Sequence, residues 1–193
     1  MEKSGKIAEG PQPLPACLRT ERLVLRPFAF GDTEDVVAYA NDAEWSTFLP
    51  VPFPYGRGDA ETFIAQRVLE EPQKGRTWTL EYEERAVGGI NVSWDVSNRS
   101  AELGWSVARR LWGQGLTTEA ARAVSRAAFA AWEELNRIEA MAFGGNGASL
   151  RVMEKLGMQR EGHLRQKRLL KGEFHDEVWY SLLRHEWEKR EDG

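Results

Sequence analysis

Apolar residues in this chain fall into short runs separated by polar stretches, and these runs predict the strands. A run that alternates in polarity, or that is continuously apolar over a few residues, is typical of a strand. The predicted strands cover residues 23–26, 77–82, 86–94, 100–107, 137–143, 166–170 and 173–183. Glu83, Glu84 and Arg85 form a polar connection between two of them, which indicates a hairpin.

Segments between and after these strands predict helices. In the second half of the chain their apolar residues recur at helical spacing. The predicted helices cover residues 33–41, 59–70, 117–132, 149–156 and 184–190. Asp32 and Asp59 can cap the first two, and Gly157 suits a left-handed position after the fourth. The aromatic, proline-containing segment 45–55 predicts a loop. This order indicates one α+β domain on a mainly antiparallel sheet with a parallel pair inside it.

Composition fits one ordinary globular domain. A length of 193 residues with 41% apolar residues suffices for a core of its own. Three prolines lie among polar and small residues near the start, so residues 1–18 predict a flexible N-terminal arm and residues 19–193 the domain. No apolar run approaches the roughly 20 residues that cross a bilayer, and no apolar signal core begins the chain. We therefore expect a cytoplasmic protein with no membrane partner.

Charge and thiol content exclude several classes of function. The formal net charge of −4 argues against a dedicated nucleic-acid-binding protein. The one cysteine, Cys17, leaves no partner for an intrachain disulfide. His163, His175 and His185 are not spaced as a metal-binding set, so no metal is expected.

The sequence Arg-Leu-Trp-Gly-Gln-Gly at 110–115 lies between a predicted strand and the longest predicted helix. A glycine turn there presents backbone N–H groups, and the helix N-terminus adds roughly half a positive charge, which suits a pyrophosphate. A dinucleotide-binding turn would need a third glycine where Thr118 stands. A P-loop would need lysine after 144–147, where Ala148 follows. Residues 110–115 match the pattern Arg/Gln-x-x-Gly-x-Gly/Ala, the pyrophosphate turn of acyl-CoA-dependent N-acyltransferases. An ordinary strand-to-helix turn is the alternative.

Further segments accompany this turn in the order found in one enzyme family. They cover residues 20–26, 118–120, 146–149, 154–158 and 161–165. With them, over about residues 19–188, the chain resembles the GNAT (Gcn5-related N-acetyltransferase) superfamily, and most of all its RimJ/RimL-like branch of ribosomal-protein-alanine acetyltransferases. The resemblance implies the GNAT fold, in which a mixed, mainly antiparallel central sheet is splayed at the cofactor cleft and flanked by helices.

The same resemblance implies acetyl-CoA as co-substrate and direct transfer to an amine in a ternary complex. The branch favours a protein N-terminal α-amine as acceptor. A small amine, such as an antibiotic, a polyamine or an amino-acid derivative, is the alternative. A non-catalytic acyl-CoA-binding module on the same fold is a third interpretation. Family members often pair, so a homodimer is among the expected assemblies.

The family's cofactor contacts carry over onto matching positions of this chain. The end of strand 100–107 would pair with the pantetheine arm, and the glycine turn with the helix start would hold the pyrophosphate. Asn146 would hydrogen-bond the pantetheine and could also cap a helix. The cofactor-binding residues so implied are Trp105, Ser106, Val107, Arg110, Gly113, Gln114, Gly115, Leu116, Thr117, Asn146 and Ser149.

The resemblance also implies catalytic roles. Glu102 would be the general base, directly or through water, with the histidines as rivals. Ser149 would protonate the departing thiolate. Many relatives carry a tyrosine four residues later, where this chain has Met153. Tyr180 is therefore a second candidate acid, and a thiolate of pKa about 8.5 that leaves with little help is a third interpretation. The acceptor pocket is expected to be lined by the aromatic side chains of Trp45, Phe48, Phe53 and Trp94.

Overall fold

The computed structural model of the protein describes residues 10–191. Within these residues eight strands form one sheet: β1 (Leu18–Arg19), β2 (Val24–Arg26), β3 (Gly75–Tyr82), β4 (Arg85–Asp95), β5 (Ser100–Val107), β6 (Arg137–Phe143), β7 (Gln159–Leu170) and β8 (Glu173–Leu183). The same part of the chain contains six α-helices: α1 (Thr33–Ala40), α2 (Ala43–Ser46), α3 (Arg57–Val68), α4 (Leu116–Ala131), α5 (Gly147–Leu156) and α6 (Arg184–Glu191). The predicted α+β class is confirmed.

The strands are arranged in the order β1-β2-β3-β4-β5-β6-β8-β7. All neighbours run antiparallel except β5 and β6, which are parallel as predicted. The pairing of β5 with β6 begins at Ser100 and ends at Leu103↔Ala140, although β5 continues to Val107. The two strands therefore part beyond Leu103, and the edge of β5 that faces β6 is unpaired from there on. This is the splayed sheet that the resemblance implied.

Helix α4 packs against the sheet through small side chains. Ala120, Ala121, Val124 and Ala128 are fully buried, and α4 contacts both β4 and β5. Because alanine adds little bulk, the helix can lie close to the strands. Leu116 buries the first turn as well. The N-terminus of α4 is thereby fixed beside the point where β5 ends.

The N-terminal segment differs from the flexible arm predicted by its prolines. Its described part, residues 10–18, packs onto the domain. Leu14 belongs to the core and is 5% exposed, and the indole N–H of Trp78 donates to the carbonyl of Pro15 at 3.2 Å. Proline-rich chain has less conformational entropy to lose on ordering, so one buried leucine and a few hydrogen bonds suffice to hold it. Residues 1–9 of the predicted arm lie outside the described residues.

Strand β7 begins at Gln159, well before the predicted start at 166. It is an edge strand, and its side chains are exposed almost throughout. Its sequence therefore lacks the apolar positions that predicted the central strands. Its pairing with β8 also shifts register twice, which breaks any simple two-residue period.

Aspartates mark the starts of three helices, each through a different contact. Asp42 accepts two backbone N–H bonds in the first turn of α2, a one-turn helix that overlaps the segment predicted as a loop. Asp59 lies inside α3 and accepts the N–H of Gly56 at 2.9 Å. Asp32 precedes α1 as predicted, but its carboxylate binds the guanidinium of Arg26 instead of capping that helix.

Arg184, at the start of α6, closes the C-terminal end of α4. Its guanidinium donates to the carbonyls of Leu135, Phe129 and Trp132. We expect Arg184→Met to lower the free energy of unfolding by about 2 kcal/mol, because these carbonyls lose a charged donor. The melting temperature should fall by roughly 4–8 °C. Denaturant and thermal unfolding measure both quantities. Arg184→Lys keeps a charged donor near the helix end and should lose less; a methionine variant as stable as wild type would contradict the assignment.

Candidate functional site

The glycine turn leads from β5 into α4, as its sequence predicted. Gly113 and Gly115 have φ angles of 77° and 82°, in a left-handed region that glycine enters without steric cost. Gly115 directly precedes α4, so the first N–H groups of that helix have no partner within the helix. Together with the helix dipole, these groups form a surface that attracts anions.

The free edge of β5 presents backbone groups to the gap beside β6. The N–H of Ala108 donates to the carbonyl of Val87 on β4 at 2.7 Å. Backbone groups of successive residues alternate in direction along an antiparallel strand, so Val107 and Trp105 direct theirs away from β4 and into the gap. Consistent with this, the indole N–H of Trp112 donates to the carbonyl of Val107 at 2.9 Å. An extended ligand in the gap would meet a row of backbone donors and acceptors.

The first turn of α5 places two polar side chains across this gap. Asn146 is the N-cap, and its side-chain oxygen accepts the N–H of Ser149 at 3.1 Å. The Ser149 hydroxyl oxygen accepts the indole N–H of Trp105 at 3.3 Å. A hydroxyl that accepts through its oxygen can still donate its own proton, and a capping asparagine retains its two N–H donors. Both side chains can therefore donate hydrogen bonds to a ligand.

These elements enclose a cleft of about 380 Å³. Its walls are the end of β5, the glycine turn, the first turns of α4 and α5, and helix α2 with the residues that follow it. The predicted cofactor and acceptor residues that line it are Trp45, Phe48, Trp105, Ser106, Val107, Gly113, Gly115, Leu116, Thr117, Asn146 and Ser149. Segments that are distant in the sequence thus meet around one cavity.

Four of the predicted binding residues lie outside the lining of this cleft. Arg110 and Gln114 belong to the turn and are exposed, but neither lines the cleft. Phe53 is 52% exposed and is also outside the lining. Trp94 packs edge-on against Trp132 with 5.9 Å between ring centroids. Phe53 and Trp94 therefore lie outside this cleft, and their role in the acceptor pocket stays a prediction.

Tyr180, the second candidate acid, does not line the cleft. It is buried on β8, outside the lining, and its hydroxyl donates to a carboxylate oxygen of Glu154 at 3.3 Å. Desolvation, with the charge of Glu154, raises the pKa of the Tyr180 phenol. Met153 is completely buried in the core. Ser149 is therefore the predicted acid that lines the cleft.

Glu102 lies where β5 and β6 are about to part, next to Glu139 on β6. It is exposed between the buried residues Ala101 and Leu103, and it does not line the cleft. Neighbouring strands desolvate the carboxyl in part, which raises its pKa, and the charge of Glu139 adds to the rise while Arg168 opposes it. A raised pKa makes a carboxylate a stronger base. Proton transfer from the cleft to Glu102 would pass through water.

Two contacts hold the two ends of α2 beside the cleft. Lys171, in the turn between β7 and β8, donates to the backbone carbonyl of Ser46 at 2.7 Å. Arg109, just after β5, donates to the carboxylate of Asp42 at 2.6 Å. Arg109 is therefore engaged with a protein carboxylate rather than with the mouth of the turn. Since both partners lie at the ends of α2, the contacts fix the wall that carries Trp45.

Sequence reasoning missed several lining residues, chief among them Trp112, Arg151 and Lys155. Trp112 lies within the predicted turn. Its indole N–H donates to the strand before the turn, and no local sequence pattern indicates that hydrogen bond. Arg151 and Lys155 are four residues apart on α5, so they share one face of that helix. Their spacing and their position after Asn146 are visible in the sequence and would have indicated a basic wall for an anionic ligand.

Neither a membrane-spanning helix nor a metal-binding cluster is found among residues 10–191. No helix in that range is long and apolar enough to cross a bilayer. The same range holds no group of three or more histidine, cysteine, aspartate or glutamate side chains arranged to bind a metal ion.

Comparison with known proteins finds similarity along most of the chain. A family model described as "Acetyltransferase (GNAT) domain" matches residues 22–159. "Uncharacterized N-acetyltransferase YnaD" from Bacillus subtilis (strain 168) is 31% identical over 171 residues, which is 88% of this chain and 98% of YnaD. "Putative ribosomal N-acetyltransferase YdaF" from the same organism is 39% identical over 110 residues, which is 56% of this chain and 60% of YdaF. A solved acetyltransferase of the GNAT family from Bacillus anthracis has a TM-score of 0.77 at 29% identity, covering 88% of this chain and 99% of that one.

Proposed function

The chain belongs to the GNAT acetyltransferase family, and from that premise we propose that it acetylates the α-amine of a polypeptide N-terminus. Membership of the family makes it an acetyl-CoA-dependent N-acetyltransferase. The choice of acceptor is the proposal. It is supported by the similarity to YdaF, which is named as a ribosomal N-acetyltransferase, and by residues 20–26, whose sequence is typical of the RimJ/RimL-like branch.

In this proposal the diphosphate of CoA lies against the N–H groups of the glycine turn and of the first turn of α4. The space there is open, since a Cβ atom at Gly113 would meet no atom within 4 Å. The pantetheine arm follows the free edge of β5 and exchanges hydrogen bonds with Trp105 and Val107, while Asn146 donates from the opposite wall. Arg151 and Lys155 face the same cleft and balance the charge of the phosphates.

The side chains then divide the proton transfers between them. Glu102 accepts a proton from the amine through water, which leaves a neutral nitrogen to attack the thioester carbonyl. The N–H of Val107, directed into the gap, polarises that carbonyl. As the carbon–nitrogen bond forms and the carbon–sulfur bond breaks, Ser149 donates its hydroxyl proton to the sulfur. The nitrogen then loses its surplus proton to water, and Ser149 regains a proton from water. Trp105 holds the Ser149 oxygen in position through its indole N–H.

The observation that carries this proposal is the parting of β5 and β6 beyond Leu103↔Ala140. It places an unpaired strand edge beside the glycine turn and leaves Glu102 near its apex. Glu102 is exposed, and so is Ser93, its neighbour on β4. A polypeptide terminus suits such a site, because the rest of the acceptor chain can extend away over the exposed strands.

Thiol release from acetyl-CoA, followed with a colorimetric thiol reagent, tests the acceptor. The panel contains peptides with the free N-termini of ribosomal proteins, the same peptides with a blocked α-amine, and small amines including polyamines. We expect turnover with the free peptides and none with their blocked counterparts. Turnover confined to small amines would overturn the proposed acceptor. CoA binding without turnover on any amine would identify a non-catalytic module.

Ser149→Ala is expected to lower kcat about tenfold, the effect of losing a general acid when the leaving thiolate has a pKa of only about 8.5. The KM for acetyl-CoA should change little, because the hydroxyl acts on the departing sulfur. Steady-state kinetics with saturating acceptor measure both constants. Ser125→Ala is the matched control, since Ser125 is buried on α4, away from the cleft. A Ser149 variant with the wild-type kcat would mean that the thiolate leaves unaided.

A further inference from the structure

Two segments that are distant in the sequence meet behind the glycine turn. Residues 20–22, just before β2, contact the carboxylate of Glu119 in the first turn of α4. Glu119 accepts the hydroxyl of Thr20 at 2.5 Å and the backbone N–H of Arg22 at 2.9 Å. Its Oε2 atom also accepts hydrogen bonds from the Nε and Nη2 atoms of Arg22, each at 2.7 Å. All these donors converge on one carboxylate at the start of the helix.

Arg22 extends from this carboxylate to the turn itself. Its Nη1 atom donates to the carbonyl of Gln114 at 2.9 Å, and its Nη2 atom would lie 3.6 Å from a Cβ atom at Gly115. Gln114 stands between the two glycines with left-handed φ angles. Because one planar guanidinium binds both the middle of the turn and the first turn of α4, it fixes their relative position.

We propose that Arg22 and Glu119 are positioning residues that hold the glycine turn in its diphosphate-binding shape, and that Arg22 also cancels the charge of Glu119 beside the diphosphate. The inference rests on the placement of the diphosphate under the proposed function. Neither side chain lines the cleft, so both act through the backbone of the turn and through their charge.

The charge argument follows from the position of Glu119. Its backbone lies in the helix turn whose N–H groups face the ligand, where a lone carboxylate would repel a diphosphate. Partial burial pushes the pKa of Glu119 up, but the hydrogen bonds from Thr20 and Arg22 outweigh this, and the pKa lies below its ordinary value. Glu119 is therefore ionised at neutral pH, and Arg22 is its counter-ion.

Donors with and without the diphosphate test the proposal. Arg22→Met, Glu119→Gln and the double variant are compared with wild type, using acetyl-CoA and acetyl-pantetheine, which lacks the diphosphate. We expect Arg22→Met to raise the KM for acetyl-CoA about tenfold, the scale of one lost charged hydrogen bond, with little change in kcat. Its kcat/KM for acetyl-pantetheine should stay at the wild-type value. Glu119→Gln should raise the KM for acetyl-CoA less than Arg22→Met does. The double variant should regain part of the affinity lost by Arg22→Met.

Arg99→Met is the matched control, because it breaks an exposed ion pair between Glu134 and Arg99, which lies in the turn between β4 and β5, at the opposite end of β5 from the glycine turn. It should leave the kinetics with both donors unchanged. Equal losses with both donors would overturn the proposal and identify a general structural tie, and so would an unchanged KM in Arg22→Met. If Arg22→Met does not fold, Arg22→Lys and Glu119→Gln give the same comparison. Failure of the wild type to bind CoA in calorimetry would instead overturn the proposed function.

Discussion

Replacing Gly113 by aspartate is expected to weaken the binding of CoA by at least about 100-fold, which corresponds to about 2.7 kcal/mol. The new carboxylate would stand against the diphosphate, and two like charges at about 4 Å repel by about 4 kcal/mol near a protein surface. The fold should survive, because a Cβ atom at Gly113 has open space and aspartate tolerates the left-handed φ of this position better than most residues do. Calorimetric titration with CoA measures the loss.

Gly113→Asn is the control for this variant. Asparagine has nearly the shape of aspartate and a similar tolerance of left-handed φ, but it carries no charge. We expect it to lose only a few-fold in affinity, so the difference between the two variants isolates the repulsion. Wild-type affinity in the aspartate variant would mean that the diphosphate does not lie at this turn.

Glu102→Gln is expected to lower kcat by about 10²–10³-fold, the usual contribution of a positioned general base. The Kd for CoA should stay near the wild-type value, because Glu102 lies outside the cleft lining. The pH dependence gives a second signature. Desolvation and the charge of Glu139 raise the pKa of Glu102, and the base acts only when it is ionised. Wild-type kcat/KM should therefore rise with pH through that raised pKa, and this rise should be absent in the glutamine variant.

Glu139→Gln tests the same assignment from the neighbouring strand. Removing a like charge beside Glu102 lowers the pKa of Glu102, so the rise of kcat/KM should move to lower pH while kcat at high pH remains. Stopped-flow or steady-state rates across the pH range record this shift. Turnover at the wild-type rate in Glu102→Gln, at every pH, would remove Glu102 as the base.

The sequence could predict those elements whose pattern follows from one buried face. Helix α4, predicted at 117–132 and found at Leu116–Ala131, shows this best, because its buried alanines repeat with the helical period. Strand β7 shows the opposite case, since nearly all its side chains are exposed and its start leaves no apolar signal. The parting of β5 and β6 depends on a register between strands that are far apart in the sequence, which local patterns do not encode.

The candidate site divides in the same way. The glycine turn was predictable because left-handed φ angles leave few residue choices, and the order of accompanying segments added the family resemblance. The hydrogen bond from Trp105 to Ser149 joins β5 to α5 and depends on tertiary packing. Tyr180 illustrates the limit: alternation predicted its strand, but it did not show that the hydroxyl would be bound by Glu154 on α5.

The short pairing of β5 with β6 has a mechanical consequence. Along the sheet, the meander β1–β5 is joined to β6, β8 and β7 by a ladder that spans only Ser100↔Arg137 to Leu103↔Ala140. A bound ligand whose amides pair with the free edge of β5 supplies backbone hydrogen bonds that β6 does not make there. It acts as an additional strand between the two parts of the sheet. Binding then adds to the cohesion of the whole sheet, and the loaded protein resists unfolding more strongly as the ligand becomes more concentrated.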